Sequence, residues 1–171
     1  METPLALDRA RHLELEHHSP IPRRVALGVL AAACLIALLD LFGQQSGTRR
    51  VDAAAASLTV NSPERLRGGL VFTSEITVIA HRKLQDAQVQ LSPGWFSGMT
   101  FNGIVPQPQN MSSSAEGTTL DFGPLEAGES MPFWISWQTN PTTVGPRDQE
   151  IVVSDGSNQL LDFKRSLVVF P

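Results

Sequence analysis

The chain of 171 residues carries a net charge of −4, and 42% of its residues are hydrophobic. A domain needs roughly 100 to 150 residues to bury a substantial core, so this length allows one domain with short appendages. From residue 51 onward, seven basic residues stand against twelve acidic ones. That balance disfavours nucleic-acid binding, which needs a basic surface to neutralise phosphates. Cys34 is the single cysteine, so the C-terminal part must fold without disulfides.

Residues 1–24 are mostly polar, and we predict a cytosolic tail that is partly helical or disordered. His12 and Glu16 would share one face of a helix, which invites a metal-binding hypothesis. The adjacent His17 and His18 would diverge by about 100 degrees on that helix, so they do not converge on one ion. A solvated tail without metal is the better prediction.

Residues 25–43, VALGVLAAACLIALLDLFG, form an apolar run with one charged residue. Nineteen helical residues extend about 28 Å, close to the roughly 30 Å hydrocarbon core of a bilayer. We therefore predict a single transmembrane helix inserted in the cell membrane. The nearby basic residues are Arg9, Arg11, Arg23 and Arg24 before the run, and Arg49 and Arg50 after it. The excess of positive charge before the run predicts a cytosolic N-terminus and an extracytoplasmic C-terminal domain.

One stripe of this helix carries candidates for contact with a partner helix. Ala33, Ala37 and Asp40 share a helical face; small residues let helices approach closely, and an intramembrane carboxylate tends to face a partner or water. The alternative is that Asp40 reaches the lipid headgroups. A cleaved signal peptide is a second reading of the apolar run, but it would need small residues directly after the run, and Ala53–Ala56 lie about ten residues beyond it, past Arg49 and Arg50.

The hydrophobic period changes to two in the second half of the chain. Residues 44–56 are small or polar and are predicted to form a linker. Beyond them, residues 70–80 alternate, with Phe72, Ile76 and Val78 on the side suited to a core. Such alternation is typical of half-buried strands.

Turn signals separate further strands at regular intervals. The strand predicted at Met131–Thr139 places Phe133 and Trp137 on one face. The dipeptide Asp155-Gly156 predicts a tight hairpin, because Asp-Gly suits positive backbone dihedrals. In total, seven or eight short strands predict an all-β sandwich of two sheets for residues 57–171, since a single sheet would leave its apolar side wet.

The segment from Trp95 to Ser114 is less regular. Pro106 and Pro108 cannot donate the backbone hydrogen bonds of a central strand. We predict an edge strand and a long loop there. The loop is longer than such a sandwich usually needs, which leaves the local strand topology open.

Three stretches carry a family resemblance. They are the strand that ends in Pro-Gly at Ala87–Gly94, the run LDFGPLEAGES at Leu120–Ser130 that leads into an apolar strand, and the closing hairpin at Ile151–Val169. Together they resemble bacterial immunoglobulin-like adhesion-type domains, the class typified by CARDB domains. The resemblance covers about residues 57–170 and implies the fold. It implies no particular activity, because this sandwich hosts many roles.

Nothing in the sequence combines into a catalytic or cofactor site. His81 is the one histidine after residue 50. The sequence around it does not supply a nucleophile together with a base and a residue that orients the base. Asp148 and Glu150 lack the alternating oxygen ligands of a calcium loop. We therefore expect no catalysis, no metal and no cofactor. An extracellular hydrolase that uses Asp121 or Glu129 is the weakest alternative.

Two tryptophans remain as candidates for partner contact, Trp95 and Trp134. Trp134 lies on the side of its strand opposite Phe133 and Trp137, and exposed aromatic residues anchor partners or glycans. The leading hypothesis is a membrane-anchored, non-enzymatic binding or accessory module that engages another membrane or envelope protein. The alternative is a binder of envelope carbohydrate or cell-wall ligands that uses Trp95 or Trp134.

Overall fold

The computed structural model describes residues 20–38 and 45–171 of the chain. Residues 1–19 of the predicted tail and Asp40 of the predicted helix lie outside this described part. The chain divides into two compact units, an N-terminal one that contains a helix and a larger C-terminal one built of strands.

The N-terminal unit contains the helix α1 at Pro20–Leu38. Prolines suit a first helical turn because the N–H groups there have no intrahelical acceptor, which explains why α1 begins before Val25, the predicted boundary. Residues 21–38 are all exposed. By length and composition this stretch is apolar enough to cross a membrane. Residues 39–43 of the predicted span lie outside the described residues.

The C-terminal unit contains ten strands within the described residues, together with a 3₁₀ turn at Pro93–Trp95. The strands are β1 (Gln45–Asp52), β2 (Ala56–Arg67), β3 (Val71–Ala80), β4 (Ala87–Leu91), β5 (Met99–Val105), β6 (Asn110–Ser114), β7 (Gly117–Asp121), β8 (Ser130–Thr139), β9 (Gly145–Asp155) and β10 (Asn158–Phe170). Ten strands are two more than the upper figure of the seven or eight predicted.

The strands are hydrogen-bonded in the order β5-β8-β3-β2-β10-β9-β4-β7-β6, and β1 pairs with β2. We call β5, β8, β3 and β2 sheet I, and β10, β9, β4, β7 and β6 sheet II. Strand β2 joins the sheets, because Ala56–Asn61 pair antiparallel with β3 and Arg65–Arg67 pair parallel with β10. The predicted immunoglobulin-like sandwich preceded by an apolar helix is confirmed.

The core lies between the two sheets and follows from the period-two pattern. On β8, the alternate residues Phe133, Ile135 and Trp137 are fully buried, as the sequence predicted for the first and last. The Phe133 ring centroid lies 4.9 Å from that of Phe122, and the Trp137 centroid lies 5.9 Å from that of Trp95. Burial of each such side chain contributes about 1.5 to 3 kcal/mol to folding.

The predicted linker at 44–56 is wrong for most of its length, because β1 occupies Gln45–Asp52 and pairs antiparallel with β2. An ion pair fastens the two strands, with Arg49 Nε 2.7 Å from Glu64 Oε1. The sequence of β1, QSGTRRVD, has no apolar alternation. Its pairing comes from backbone hydrogen bonds to a distant strand, so no local pattern marked it.

The segment Trp95–Ser114 contains two strands where one strand and a long loop were predicted. Strand β5 is the edge of sheet I, as expected, while β6 is the edge of sheet II. All five residues of β6 are exposed, so this strand also lacks the apolar signal. Strands β1 and β6 account for the difference in strand number.

The sandwich has two ends that matter for function. At the tether end, β1 begins and β2 finishes, with Gln45 opposite Arg65. At the far end, β3 finishes at Ala80 and the β9–β10 hairpin turns at Asp155-Gly156. Gly156 adopts a φ of +56°, so the hairpin predicted from that dipeptide is confirmed.

Candidate functional site

The outer surface of sheet I carries an exposed apolar pair near the middle of β8. Trp134 keeps 40% of its surface exposed, although both of its neighbours on the strand, Phe133 and Ile135, are buried. Val105 on edge strand β5 is directly opposite Trp134 in the strand register and is 66% exposed. Side chains opposite each other on one face of a sheet lie about 5 Å apart at Cβ, so the two form one apolar patch.

One acidic residue and one proline border this patch. Glu75 on β3 is opposite Trp134 on its other side, and Pro132, two residues along β8, is exposed on the same face. We call Glu75, Val105, Pro132 and Trp134 the Trp134 face. A rigid aromatic residue beside an aliphatic one and a carboxylate fits the composition of protein-binding patches, which place an apolar anchor within a polar rim.

Trp95 is fully buried, so the prediction that it faces a partner is wrong. The 3₁₀ turn directs its indole into the core, where Nε1 donates a hydrogen bond to the carbonyl oxygen of Glu150 at 3.1 Å. The turn packs so closely on β9 that a Cβ on Gly94 would lie 1.8 Å from the Asp148 carbonyl oxygen. The sequence signal that was missed is the Pro93-Gly94 pair directly before the tryptophan, which permits this inward turn.

The predicted stripe on the apolar helix is only partly described. Ala33 and Ala37 are both exposed on α1, within the N-terminal unit. Their exposure is compatible with contact to a partner helix. Asp40, the third member, lies outside the described residues. Helix pairing through Ala33 and Ala37 therefore stays a prediction.

Arg165 is a largely buried cation that the sequence analysis did not single out. Its guanidinium donates hydrogen bonds to the carbonyl oxygens of Ser62, at 3.3 Å, and of Pro63. The group also lies over the Trp95 ring, 5.8 Å from the centroid. Burial lowers the pKa of Arg165 to about 10, so the side chain stays charged at neutral pH. These bonds join β10 to the part of β2 that passes between the sheets.

Three carboxylates gather at the far end, on Asp86, Asp121 and Asp155. Asp155 Oδ1 accepts backbone N–H bonds from Gln85 and Asp86 at 2.8 and 3.0 Å, and Asp121 Oδ1 accepts one from Gly123 at 2.8 Å. Desolvation, a hydrogen bond with Asp121 and the nearby negative charges raise the pKa of Asp86. These contacts are typical of acids that hold turns in place.

The residues named for the hydrolase alternative have similar roles. Glu129 Oε2 accepts a hydrogen bond from the backbone N–H of Glu126 at 2.9 Å, and Asp121 caps its own turn. Across residues 20–38 and 45–171, no group of three histidine, cysteine or acidic residues is arranged to hold a metal ion. His81 is exposed, and its Nδ1 lies 3.0 Å from the Ala53 carbonyl oxygen.

A shallow cleft of about 590 Å³ lies beside the 3₁₀ turn. Pro93, Gly94, Glu150 and Lys164 are among its lining residues. Lys164 Nζ is 3.2 Å from Glu150 Oε1, so these two charges largely neutralise each other. The cleft lining contains neither histidine nor cysteine, and its one hydroxyl, Ser92 Oγ, accepts a hydrogen bond from the backbone N–H of Glu150 at 3.0 Å.

No family model and no curated protein matches the sequence. Solved structures with similar folds include a CARDB domain from Pyrococcus furiosus in complex with di-metal ions, with 12% identity, 70% of this chain and 93% of that chain covered, and a TM-score of 0.42. The human F-spondin reeler domain shows 14% identity, 72% and 94% coverage and a TM-score of 0.45. A non-cellulosomal cohesin from Archaeoglobus fulgidus shows 10% identity, 63% and 86% coverage and a TM-score of 0.39. Similarities this weak carry no information about function, and the fold class rests on the strand order itself.

Proposed function

We propose that the chain is a membrane-anchored, non-enzymatic binding module that engages another membrane or envelope protein through the Trp134 face. Helix α1 supplies the anchor in this proposal, since its apolar residues match the length of a bilayer crossing. Six residues separate α1 from β1, so the sandwich directly follows the anchor in the chain. The excess of arginine before the apolar run supports an extracytoplasmic sandwich.

The exposed Trp134–Val105 pair is the observation that carries the proposal. Trp134 occupies a strand whose neighbouring residues are locked in the core, so its backbone is already ordered before any partner arrives. A partner then loses little conformational freedom on that side of the contact. Tryptophan residues are enriched among the few interface positions that supply most of the binding free energy.

Co-purification from membranes in mild detergent tests this proposal. A Trp134→Ala variant should lose the partner that accompanies the wild-type chain, with an affinity loss of at least about 30-fold, as expected for a 2 kcal/mol interface anchor. Met111→Ser is a matched control, because Met111 is an exposed apolar residue on β6 in sheet II. A wild-type chain that leaves the membrane alone and monomeric, or equal partner loss in both variants, would contradict the proposal.

A second candidate is a binder of envelope carbohydrate through the same indole, because an exposed tryptophan on a flat sheet face can stack on a sugar ring. Trp95 and Trp137 are buried, so Trp134 is the indole that a soluble polysaccharide can reach in the described part of the chain. Quenching of tryptophan fluorescence by envelope polysaccharides, abolished in Trp134→Phe, would favour this candidate. Absence of quenching in the wild-type chain would rule it out.

A further inference from the structure

The tether end of the sandwich displays apolar side chains on two loops. Leu70 follows the β2–β3 turn and Val144 directly precedes β9, and both are exposed. The loops are in contact, because a Cβ on Gly68 would lie 2.9 Å from the Pro141 carbonyl oxygen. The backbone N–H of Thr139 also donates a hydrogen bond to the Leu70 carbonyl at 3.0 Å. The two apolar residues therefore lie on loops that are in contact.

Two arginines that stand outside the ion pairs of residues 45–171 border these loops. Arg65 and Arg67 are exposed near the end of β2, and neither forms an ion pair with a carboxylate side chain of residues 45–171. Arg67 Nε donates instead to the Pro171 backbone oxygen at 3.3 Å. By contrast, Arg49 and Arg50 on β1 are each paired with an acid. We call Arg65, Arg67, Leu70 and Val144 the tether-end surface.

The charge of the sandwich is unevenly distributed between its ends. The far end carries the Asp86, Asp121 and Asp155 group together with Glu126 and Glu129, against the two basic residues Arg82 and Lys83, of which Lys83 pairs with Glu126. A negatively charged surface would therefore attract the tether end and repel much of the far end. This difference in charge between the ends favours an orientation with the tether end toward an anionic surface.

The path of the chain also favours the tether end as the end that approaches an anionic surface. Residues 39–44 lead from α1 into β1, and Gln45 is opposite Arg65 in the strand register. A six-residue segment extends at most about 20 Å, so a helix anchored in a bilayer keeps the tether end within reach of the lipid headgroups. Binding of a tethered surface is intramolecular, and weak contacts then suffice because the effective concentration is high.

We infer that the tether-end surface docks on anionic lipid, with Leu70 and Val144 at the boundary between headgroups and acyl chains and with Arg65 and Arg67 on lipid phosphates. Apolar side chains beside cationic ones are the combination that binds such interfaces. The inference rests on the proposed anchoring by α1. Docking holds the sandwich in one orientation, with the Trp134 face at its side and the far end away from the membrane.

Environment-sensitive labelling of the full chain tests the docking. In a Cys34→Ser background, Val144→Cys provides a single labelling site at the tether end, and Met111→Cys provides a control site on β6. The labelled chains are inserted into lipid nanodiscs that contain a quencher attached to a lipid headgroup. Quenching of the label at 144 should be several-fold stronger in phosphatidylglycerol than in phosphatidylcholine nanodiscs, whereas quenching at 111 should be weak and equal in both.

Arginine variants separate docking from simple proximity. Arg65→Gln with Arg67→Gln should reduce the quenching at 144 in phosphatidylglycerol to the level in phosphatidylcholine. Arg82→Gln, an exposed arginine at the far end, should leave that quenching unchanged. Leu70→Cys repeats the measurement if Val144→Cys does not fold, as judged by circular dichroism.

Equal quenching at 144 in the two lipids, or quenching that survives the double arginine substitution, would overturn the docking inference while leaving the anchor intact. A chain that fails to insert into nanodiscs would instead overturn the proposed anchoring by α1. Insertion is scored separately, by co-elution of the chain with the lipid.

Discussion

Trp95 and Trp134 are the same residue type in two regions of one sandwich, and their surroundings give them opposite roles. Trp134 lies on a regular strand, where each residue points away from its neighbours, so burial of Phe133 and Ile135 on the opposite face leaves it outside. Trp95 lies in a 3₁₀ turn, where no alternation applies, and the turn folds its indole inward onto Trp137. Strand periodicity therefore decides the exposure of an aromatic residue, whereas a turn leaves it to tertiary packing.

The largest expected effect follows from the two tryptophans themselves. Trp95→Ala removes a fully buried indole and its hydrogen bond to Glu150, and should lower the free energy of unfolding by about 3 to 5 kcal/mol. Trp134→Ala should change it by less than about 1 kcal/mol, because the residue is half exposed. Urea unfolding of both variants measures the difference. Equal losses would show that Trp134 is part of the core and not a free surface.

The close packing of the Trp95 turn provides the second comparison. Gly94→Ala forces a methyl group against the Asp148 carbonyl oxygen, and should destabilise the fold by about 1 to 3 kcal/mol as the turn moves away from β9. Ser97→Ala is the control, since Ser97 is exposed in the same connection and should be nearly neutral. An unchanged melting curve for Gly94→Ala would contradict the account of how Trp95 enters the core.

Arg165 and Arg65 extend the comparison of a buried and an exposed side chain from tryptophan to arginine. Arg165→Met keeps the length of the side chain but leaves the Ser62 and Pro63 carbonyls without their donors, at a cost of about 1 to 3 kcal/mol. Arg65→Gln, on the exposed side of β2, should change stability by less than about 0.5 kcal/mol. Chemical unfolding of the pair checks this. The reverse order of the two losses would mean that Arg165 does not hold β2 to β10.

The smallest effect is expected from the far-end carboxylates. A raised pKa means that Asp86 stabilises the folded chain when protonated, and this stabilisation is lost as the pH rises through the pKa of the folded state. Asp86→Asn should therefore raise the free energy of unfolding at pH 7 by less than about 1 kcal/mol, with a matching small rise in melting temperature. At pH 3 both quantities should be nearly unchanged. Calorimetry at the two pH values measures the gain. A gain confined to pH 3 would have the wrong sign for this explanation.

The regular parts of the sandwich were predictable because their causes are local. Strand β8 follows from its alternating apolar residues, and the last hairpin follows from Asp155-Gly156. Strands β1 and β6 were missed because their polar sequences, QSGTRRVD and NMSSS, are strands only through backbone pairing with distant segments. Arg165 was missed for a similar reason, since its acceptors on β2 are about 100 residues away in the chain.

The candidate site was predictable only in part. The exposure of Trp134 follows from the two-residue period of β8, but its pairing with Val105 depends on which strand β5 joins. The tether-end surface combines the end of β2 with the loop before β9, and no sequence window contains both. Residue type alone also failed to separate Trp134 from Trp95.

Site-specific photo-crosslinking in intact cells tests the central claim most directly. A photo-reactive amino acid at Val105, beside Trp134, should give a crosslink to a discrete membrane or envelope protein, and the crosslink should disappear when Trp134 is also replaced by alanine. The same photo-reactive group at Met111, on the opposite sheet, should give no such product. The binding module proposed here would be contradicted if position 105 formed no adduct, or if positions 105 and 111 formed the same set of adducts.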